Sequence, residues 1–161
     1  MPAGFFAAVL GWSWALWGVT VGFGLDPWGW PGALFLYGGG AGPLLGGLLF
    51  AWLSAGRAGL ADLVRRLVDP RRIGPVWWLA ALGLVPAIGA AAAVLAGTPP
   101  GAVLAPLAAH LADPAGFLAA AAFVLLLGPM PEEIGWRGYA LDALQARMAP
   151  LPASLLLAAG W

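Results

Sequence analysis

An uncharged apolar run ends directly in a pair of carboxylates near the carboxy-terminal end of the chain. The run is FLAAAAFVLLLGPM at residues 117–130, and PEEIGWRGY follows it at residues 131–139. Only 9% of the residues are charged, and ionisable side chains at membrane depth are rare and mark functional sites. The run therefore predicts a membrane helix, and Glu132 and Glu133 are the first candidates for a functional site.

The composition points to lipid surroundings. Of the 161 residues 62% are hydrophobic, whereas soluble domains are about half apolar and a quarter charged. The net charge is zero and lysine is absent, so the chain offers no basic surface for nucleic acid. The chain has no cysteine, which excludes disulfides, thiolate nucleophiles and cysteine metal sites.

The hydrophobic pattern predicts an all-α fold, that of a polytopic helical membrane protein. A spanning helix needs about 20 mostly apolar residues. A motif helix is expected over residues 131–149. The apolar residues 151–161 are too few to cross a bilayer, so we expect the start of a truncated fifth span in a native chain that continues past Trp161. The whole chain is predicted to be one membrane domain with four complete spans, at residues 4–25, 30–55, 76–96 and 114–130.

Charge predicts the orientation in the cell membrane. Five arginines lie between the second and third spans, and short arginine-rich loops stay in the cytoplasm. The amino terminus lacks the basic region and the cleavage site of a signal peptide, so it is predicted to be cytoplasmic and to lead into the first span. The turn at Asp26 and a loop over residues 97–113 are then outside, and Glu132 lies near the inner leaflet.

The arginine-rich segment, residues 57–72, has a helical pattern of its own. Its apolar residues recur at helical spacing, and Asp62 and Arg66 are four residues apart, where opposite charges pair on one helix face. We interpret it as an amphipathic helix in the cytoplasmic membrane interface. The alternative, a solvated linker, would leave the apolar face without a partner.

The second span is rich in small residues. Gly38, Gly42 and Gly46 follow one another at intervals of four, which favours close packing of helix backbones. A phosphate-binding loop is not indicated, because the Lys-Ser/Thr ending is missing. Pro43 predicts a kink. Three tryptophans of the first span, at positions 12, 14 and 17, lie too deep for an interfacial belt and predict bulk packing or the lining of a cavity.

The carboxylate pair has a structural interpretation. Pro131 suits a first helical position, and carboxylates in the first turn interact favourably with the helix dipole. Glu133 and Arg137 are four residues apart and can pair on one helix face. The motif would then simply begin a cytoplasmic helix.

A functional interpretation uses the same geometry. If Arg137 holds Glu133, Glu132 points about 100° away on the helix. We expect Gly135 to leave space beside Glu132 there, with Trp136 and Tyr139 as walls. A free carboxylate in such a niche can serve as a general base that activates water.

The residues do not predict a complete metal site. Two carboxylates without histidine make a poor zinc site. His110, the single histidine, is predicted on the outer side and cannot easily share a metal with Glu132. We expect it to be a loop or interfacial residue.

The sequence Glu132-Glu133-x-x-x-Arg137-Gly138-Tyr139 resembles the first signature of the CPBP intramembrane proteases, the CAAX-protease and bacteriocin-processing (Abi) family. The arginine-rich segment through Trp78 and the Gly-Pro of the second span are similar to the family as well. The resemblance implies a helical membrane fold and hydrolysis of a peptide bond in a membrane-associated peptide or protein. It implies that Glu132 activates water together with a histidine, and that Glu133 and Arg137 take the second-glutamate and arginine positions. It leaves open a glutamate or a divalent-metal mechanism, with zinc held by histidines absent from this chain.

The chain lacks the two later family signatures, Phe-x-x-x-His and His-x-x-x-Asn/Asp, and no histidine follows Glu132. We therefore expect an intramembrane endopeptidase whose residues 1–161 are inactive alone. Two alternatives stay open. One is a non-catalytic bacteriocin-immunity or membrane interaction protein on the same scaffold, and the other is a small transporter subunit with Glu132 and Glu133 as a cation site.

Overall fold

The computed structural model describes residues 2–161, apart from the side chain of Leu107, and these residues form helices and turns without a strand. The predicted all-α class is thus confirmed. The helices are α1 (Pro2–Gly22), α2 (Gly32–Gly40), α3 (Gly42–Val68), α4 (Pro75–Leu95), α5 (Pro100–Ala112), α6 (Pro114–Leu127), α7 (Pro129–Gly135), α8 (Leu141–Gln145) and α9 (Pro150–Gly160). A 3-10 turn covers Pro70–Arg72, and a π-helical turn covers Trp136–Ala140.

Four helical stretches in the described part of the chain are long and apolar enough to cross a membrane: Pro2–Gly22, Gly32–Val68, Pro75–Leu95 and Pro114–Gln145. Their number agrees with the four predicted spans, and the protein is a multi-pass membrane protein. Where the bilayer begins and ends on each stretch stays a prediction. Pro150–Gly160 is apolar but shorter.

The chain divides into two compact units. One contains the residues up to Val68 together with Phe123–Trp161, and the other contains Asp69–Ala122. The acidic motif belongs to the first unit, which we call the motif unit. The second unit contains α4, α5 and the first part of α6.

The second unit corrects one expectation. Residues 97–113 were predicted as a loop, but most of them form α5. Pro99 and Pro100 stand at the start of this helix, where proline fits because the first N–H groups need no partner within the helix. His110 lies exposed in the last turn of α5, with its ring centroid 4.7 Å from that of Phe117.

In the motif unit, α1 packs closely on α2 and α3 through glycine. A Cβ atom added to Gly46 would overlap Val9, and one added to Gly42 would overlap the Ser13 hydroxyl. A Cβ atom on Gly38 would lie 3.3 Å from Leu16. The close packing predicted from the glycine spacing is therefore confirmed, and the partner helix is α1.

The predicted second span is broken between α2 and α3. Pro43 has no N–H, so the Gly39 carbonyl loses the donor that it would have in a continuous helix. The buried Ser13 hydroxyl donates to that carbonyl at 2.7 Å instead. Such replacement by a hydroxyl is the way membrane helices tolerate breaks in lipid, where no water is available.

Two tryptophans of α1 also donate to carbonyls of α2. Trp12 Nε1 donates to the Gly38 carbonyl at 2.8 Å, and Trp17 Nε1 donates to the Leu36 carbonyl at 3.1 Å. These hydrogen bonds attach α1 to α2 and give the two deep tryptophans specific partners there.

The arginine-rich segment is helical up to Val68, as its pattern predicted, and continues α3 after an interruption. Ala55 and Gly56 leave the helical region there, and Gly56 has a φ of 58°. Glycine suits this left-handed conformation because it has no Cβ. Arg66 Nε lies 2.9 Å from Asp62 Oδ2, so the predicted pair forms. The interfacial location of this segment stays a prediction.

The predicted orientation can be tested by labelling single cysteines, because the chain has none of its own. We expect a cysteine at Thr98 to react with a membrane-impermeant maleimide in intact cells. A cysteine at Ala58 is expected to react only after permeabilisation, because the arginine-rich segment stays inside. The reverse pattern would show that the amino terminus is outside.

Replacing Ser13 by alanine tests the broken span. The change leaves the buried Gly39 carbonyl without its hydroxyl donor, which we expect to lower the free energy of unfolding by about 1–3 kcal/mol. The measurement is thermal unfolding in detergent. Ser154→Ala is the matched control, since Ser154 is exposed in α9, and its effect should stay within about 0.5 kcal/mol. Equal melting temperatures for the two variants would contradict this role of Ser13.

Candidate active site

The acidic motif lies on a short helix followed by a π-helical turn. The helix α7 begins at Pro129, two residues before the predicted start at Pro131, and Glu132 still lies in its first turn. The next five residues, Trp136–Ala140, form the π turn. Such turns are rare and often lie at functional sites.

Glycine brings α7 against α3 with backbones in contact. A Cβ atom added to Gly47 would lie 3.0 Å from Gly135 Cα and 3.2 Å from the Ile134 carbonyl oxygen. A Cβ atom added to Gly135 would overlap the Pro43 carbonyl. Gly135 was predicted to leave space beside Glu132, but the structure uses that space for the contact with α3.

Aromatic rings fix the following turn. The Phe5 ring centroid lies 5.5 Å from that of Trp136 and 5.3 Å from that of Tyr139. Tyr139 also contacts Phe50 and shares a hydrogen bond of 3.1 Å with Ser54. Tyr139 was predicted to form a wall beside Glu132, and this prediction is wrong. The π turn directs the side chain towards α1 and α3, where it belongs to the core.

The arginine-rich segment also holds the motif. Arg66 donates to the Gly138 carbonyl within the π turn at 3.0 Å and pairs with Asp142 in α8. With its pair to Asp62, Arg66 connects the second half of α3 to both elements that follow α7. The four-residue spacing predicted the pair with Asp62, but no sequence pattern predicted the contacts with Gly138 and Asp142.

Glu132 lines a cavity of about 210 Å³ in the motif unit. Its walls come from α1, from the break between α2 and α3, from the π turn and from the end of the described chain. Trp136 lines this cavity, as predicted. The other lining residues are Val9, Leu10, Ser13, Trp14, Trp17, Gly39, Gly40, Pro43 and Trp161.

The two carboxylates have different partners. Glu133 pairs with Arg137, which confirms the predicted contact on one helix face. Glu132 Oε2 accepts a hydrogen bond of 3.0 Å from Trp161 Nε1. The Arg137 guanidinium lies 5.3 Å from the centroid of the Trp161 ring. The structure therefore brings Glu132, Glu133 and Arg137 together through a fourth residue, Trp161.

Trp161 was not among the predicted site residues. It lies 29 positions from Glu132 along the chain, so no helical spacing connects the two. Its side chain is 64% exposed, so burial gave no signal in the sequence that its N–H has a partner.

Among residues 2–161, no group of three or more His, Cys, Asp or Glu side chains is placed to hold a metal ion. Glu133 is paired with Arg137, and one oxygen of Glu132 is engaged by Trp161. The residues described here therefore do not form a metal site by themselves. His110 lies in the second unit, and its predicted separation from Glu132 stays a prediction.

The fold and the site together define a multi-pass helical membrane protein whose acidic motif borders a cavity between helices. Residues 114–161 match the family model described as type II CAAX prenyl endopeptidase Rce1-like. A relative from Methanococcus maripaludis, described as CAAX prenyl protease 2, is 51% identical over 39 residues, which are 24% of this chain and 14% of the relative. No solved structure matches the chain. The two matches support membership of the CPBP/CAAX family, which the motif resembles.

Replacing Gly135 by alanine tests the contact that carries the motif. The added methyl overlaps the Pro43 carbonyl, and such overpacking is expected to cost about 1–3 kcal/mol of stability. Thermal unfolding in detergent is the measurement. The control is Gly89→Ala in α4, where an added Cβ meets nothing within 4 Å. An unchanged melting temperature for the Gly135 variant would contradict the backbone contact.

Proposed function

We propose that the intact protein is an intramembrane endopeptidase of the CAAX-protease type, in which Glu132 activates the water that hydrolyses a peptide bond. The observation that carries the proposal is the different placement of the two carboxylates. Glu132 borders the cavity, whereas Glu133 is paired with Arg137. Such a placement suits a site in which one carboxylate, Glu132, acts as the base while the other, Glu133, stays paired and charged.

The cavity fits a water molecule held next to a base. Its volume of about 210 Å³ is well above the roughly 10–15 Å³ that a cavity needs to hold one water molecule. Its walls are mostly apolar, with Glu132 as the single charged residue among them. Glu132 Oε2 is engaged by Trp161, so we assign the role of proton acceptor to the other carboxylate oxygen.

Arg137 pairs with Glu133 and not with the proposed base. A guanidinium bound directly to Glu132 would favour its charged form and weaken it as a proton acceptor. Because Arg137 pairs with Glu133, its charge is balanced by a carboxylate that does not line the cavity. The same pairing disfavours a cation site built from both carboxylates, which the transporter alternative requires.

The family resemblance implies a histidine partner for Glu132 and leaves a divalent metal such as zinc open. The residues described here do not form a metal site by themselves, so we assign no step to a metal. The role of Glu132, acceptance of a proton from water, stands on its own position at the cavity. We expect residues 1–161 alone to be inactive, since the implied histidine partner is not among them.

The substrate is proposed to be a membrane-associated peptide or protein that reaches the site from the bilayer. The cavity is lined in part by helices long and apolar enough to span a membrane, which favours a substrate that is itself held at the bilayer. If the amino terminus is cytoplasmic, as the arginine distribution predicts, the site lies near the inner leaflet.

Replacing Glu132 by glutamine in the full-length gene product tests the proposal. The amide keeps the size of the side chain but cannot accept the proton, and loss of a general base lowers turnover by about 10²–10⁴-fold. The measurement is cleavage of a membrane-associated reporter peptide in proteoliposomes.

The matched control is Asp26→Asn. It also removes one carboxylate charge, yet its amide oxygen can still accept the bond that Asp26 takes from the Trp28 N–H. We expect turnover like that of the unmodified protein. A Glu132→Gln protein that cleaves at the unmodified rate would rule out the proposed role.

A further inference from the structure

We propose that Trp161 is a positioning residue for Glu132, and that Arg137 acts on Glu132 through the Trp161 ring. This inference rests on the proposed function, since it assigns a further residue to the same site. The geometry that carries it is continuous: Glu133 pairs with Arg137, Arg137 lies over the indole, and the indole N–H donates to Glu132.

The indole restricts the carboxylate without balancing its charge. Tryptophan has one donor and no acceptor, so its 3.0 Å bond to Oε2 fixes one oxygen of Glu132 and leaves the other available. A neutral donor stabilises the negative charge less than a guanidinium would. Glu132 is thereby oriented towards the cavity while it stays able to accept a proton.

Arg137 in turn orients the indole. Its guanidinium lies 5.3 Å from the ring centroid, within the roughly 6 Å range of a cation–π contact. The planar guanidinium can stack on the ring and pair with Glu133 at the same time, which a lysine ammonium does less well. Arg137 therefore has two partners, Glu133 and the Trp161 ring. Of these, the Trp161 ring is the one that is hydrogen-bonded to Glu132.

The inference predicts a specific kinetic change for Trp161→Phe in the full-length gene product. Phenylalanine keeps a ring for Arg137 but removes the N–H. We expect kcat to fall by about 10- to 100-fold, as expected for a misplaced catalytic group. KM should change by less than about twofold, because the lost interaction acts on the base and not on substrate binding. The control is Trp28→Phe, the same change at a side chain that is also largely exposed (77%, against 64% for Trp161) but does not line the cavity of Glu132.

A second variant separates positioning from general packing. Arg137→Lys keeps the charge next to Glu133 and reduces the stacking on Trp161, so it should also lower kcat. If Arg137 acts through Trp161, the double variant has a kcat within about twofold of that of Trp161→Phe alone, because interacting residues are not additive. If the two substitutions were independent packing defects, the factors by which each lowers kcat would multiply in the double variant.

The outcomes distinguish this inference from the proposed function. Full activity of Trp161→Phe, or multiplied effects in the double variant, overturns the inference while the loss of activity in Glu132→Gln still supports the protease. If Trp161→Phe fails to fold, Arg137→Lys decides: an unchanged kcat overturns the inference and a lowered kcat with unchanged KM supports it. Full activity of Glu132→Gln overturns both.

Discussion

The backbone contact between α7 and α3 at Gly135, Gly47 and Pro43 is the constraint on which the site depends. No side chain separates the two helices there, and an added Cβ on either glycine meets backbone atoms of the other helix. Close packing of this kind holds membrane helices together where lipid offers no hydrophobic driving force. Because Glu132 lies one turn before Gly135, this contact fixes how far Glu132 reaches into the cavity.

The break before Pro43 serves the same site. It removes a helical hydrogen bond, and Ser13 of α1 replaces the missing donor while Trp12 donates to the neighbouring carbonyl. Irregular backbone at membrane depth is tolerated where it is buried in protein or lines a cavity, and Gly39, Gly40 and Pro43 do line the cavity of Glu132. The glycines that permit close packing and the proline that breaks the helix therefore act together.

Much of this arrangement could be predicted from local sequence patterns. Hydrophobic length predicted the number of spans, the glycine spacing predicted close packing, and the four-residue spacing predicted the pair of Glu133 with Arg137. Tertiary contacts could not be predicted in this way. The π turn moved Tyr139 into the core, and the contact with α3 occupied the space expected beside Gly135. Trp161, directly after α9, reached Glu132 from a distant part of the sequence. Helix α5 was not predicted, because residues 97–113 were treated only as the connection between the third and fourth spans.

The central claim, that Glu132 lies in a confined cavity and not in bulk solvent, is tested most directly by the chemical accessibility of a cysteine at position 132. The chain has no other cysteine, so each single-cysteine protein reports one site, and Arg147→Cys provides an exposed reference. The account predicts that methyl methanethiosulfonate modifies both cysteines, whereas a maleimide attached to a long polyethylene glycol chain modifies only position 147. Equal rates of modification by the large reagent at the two positions would contradict it.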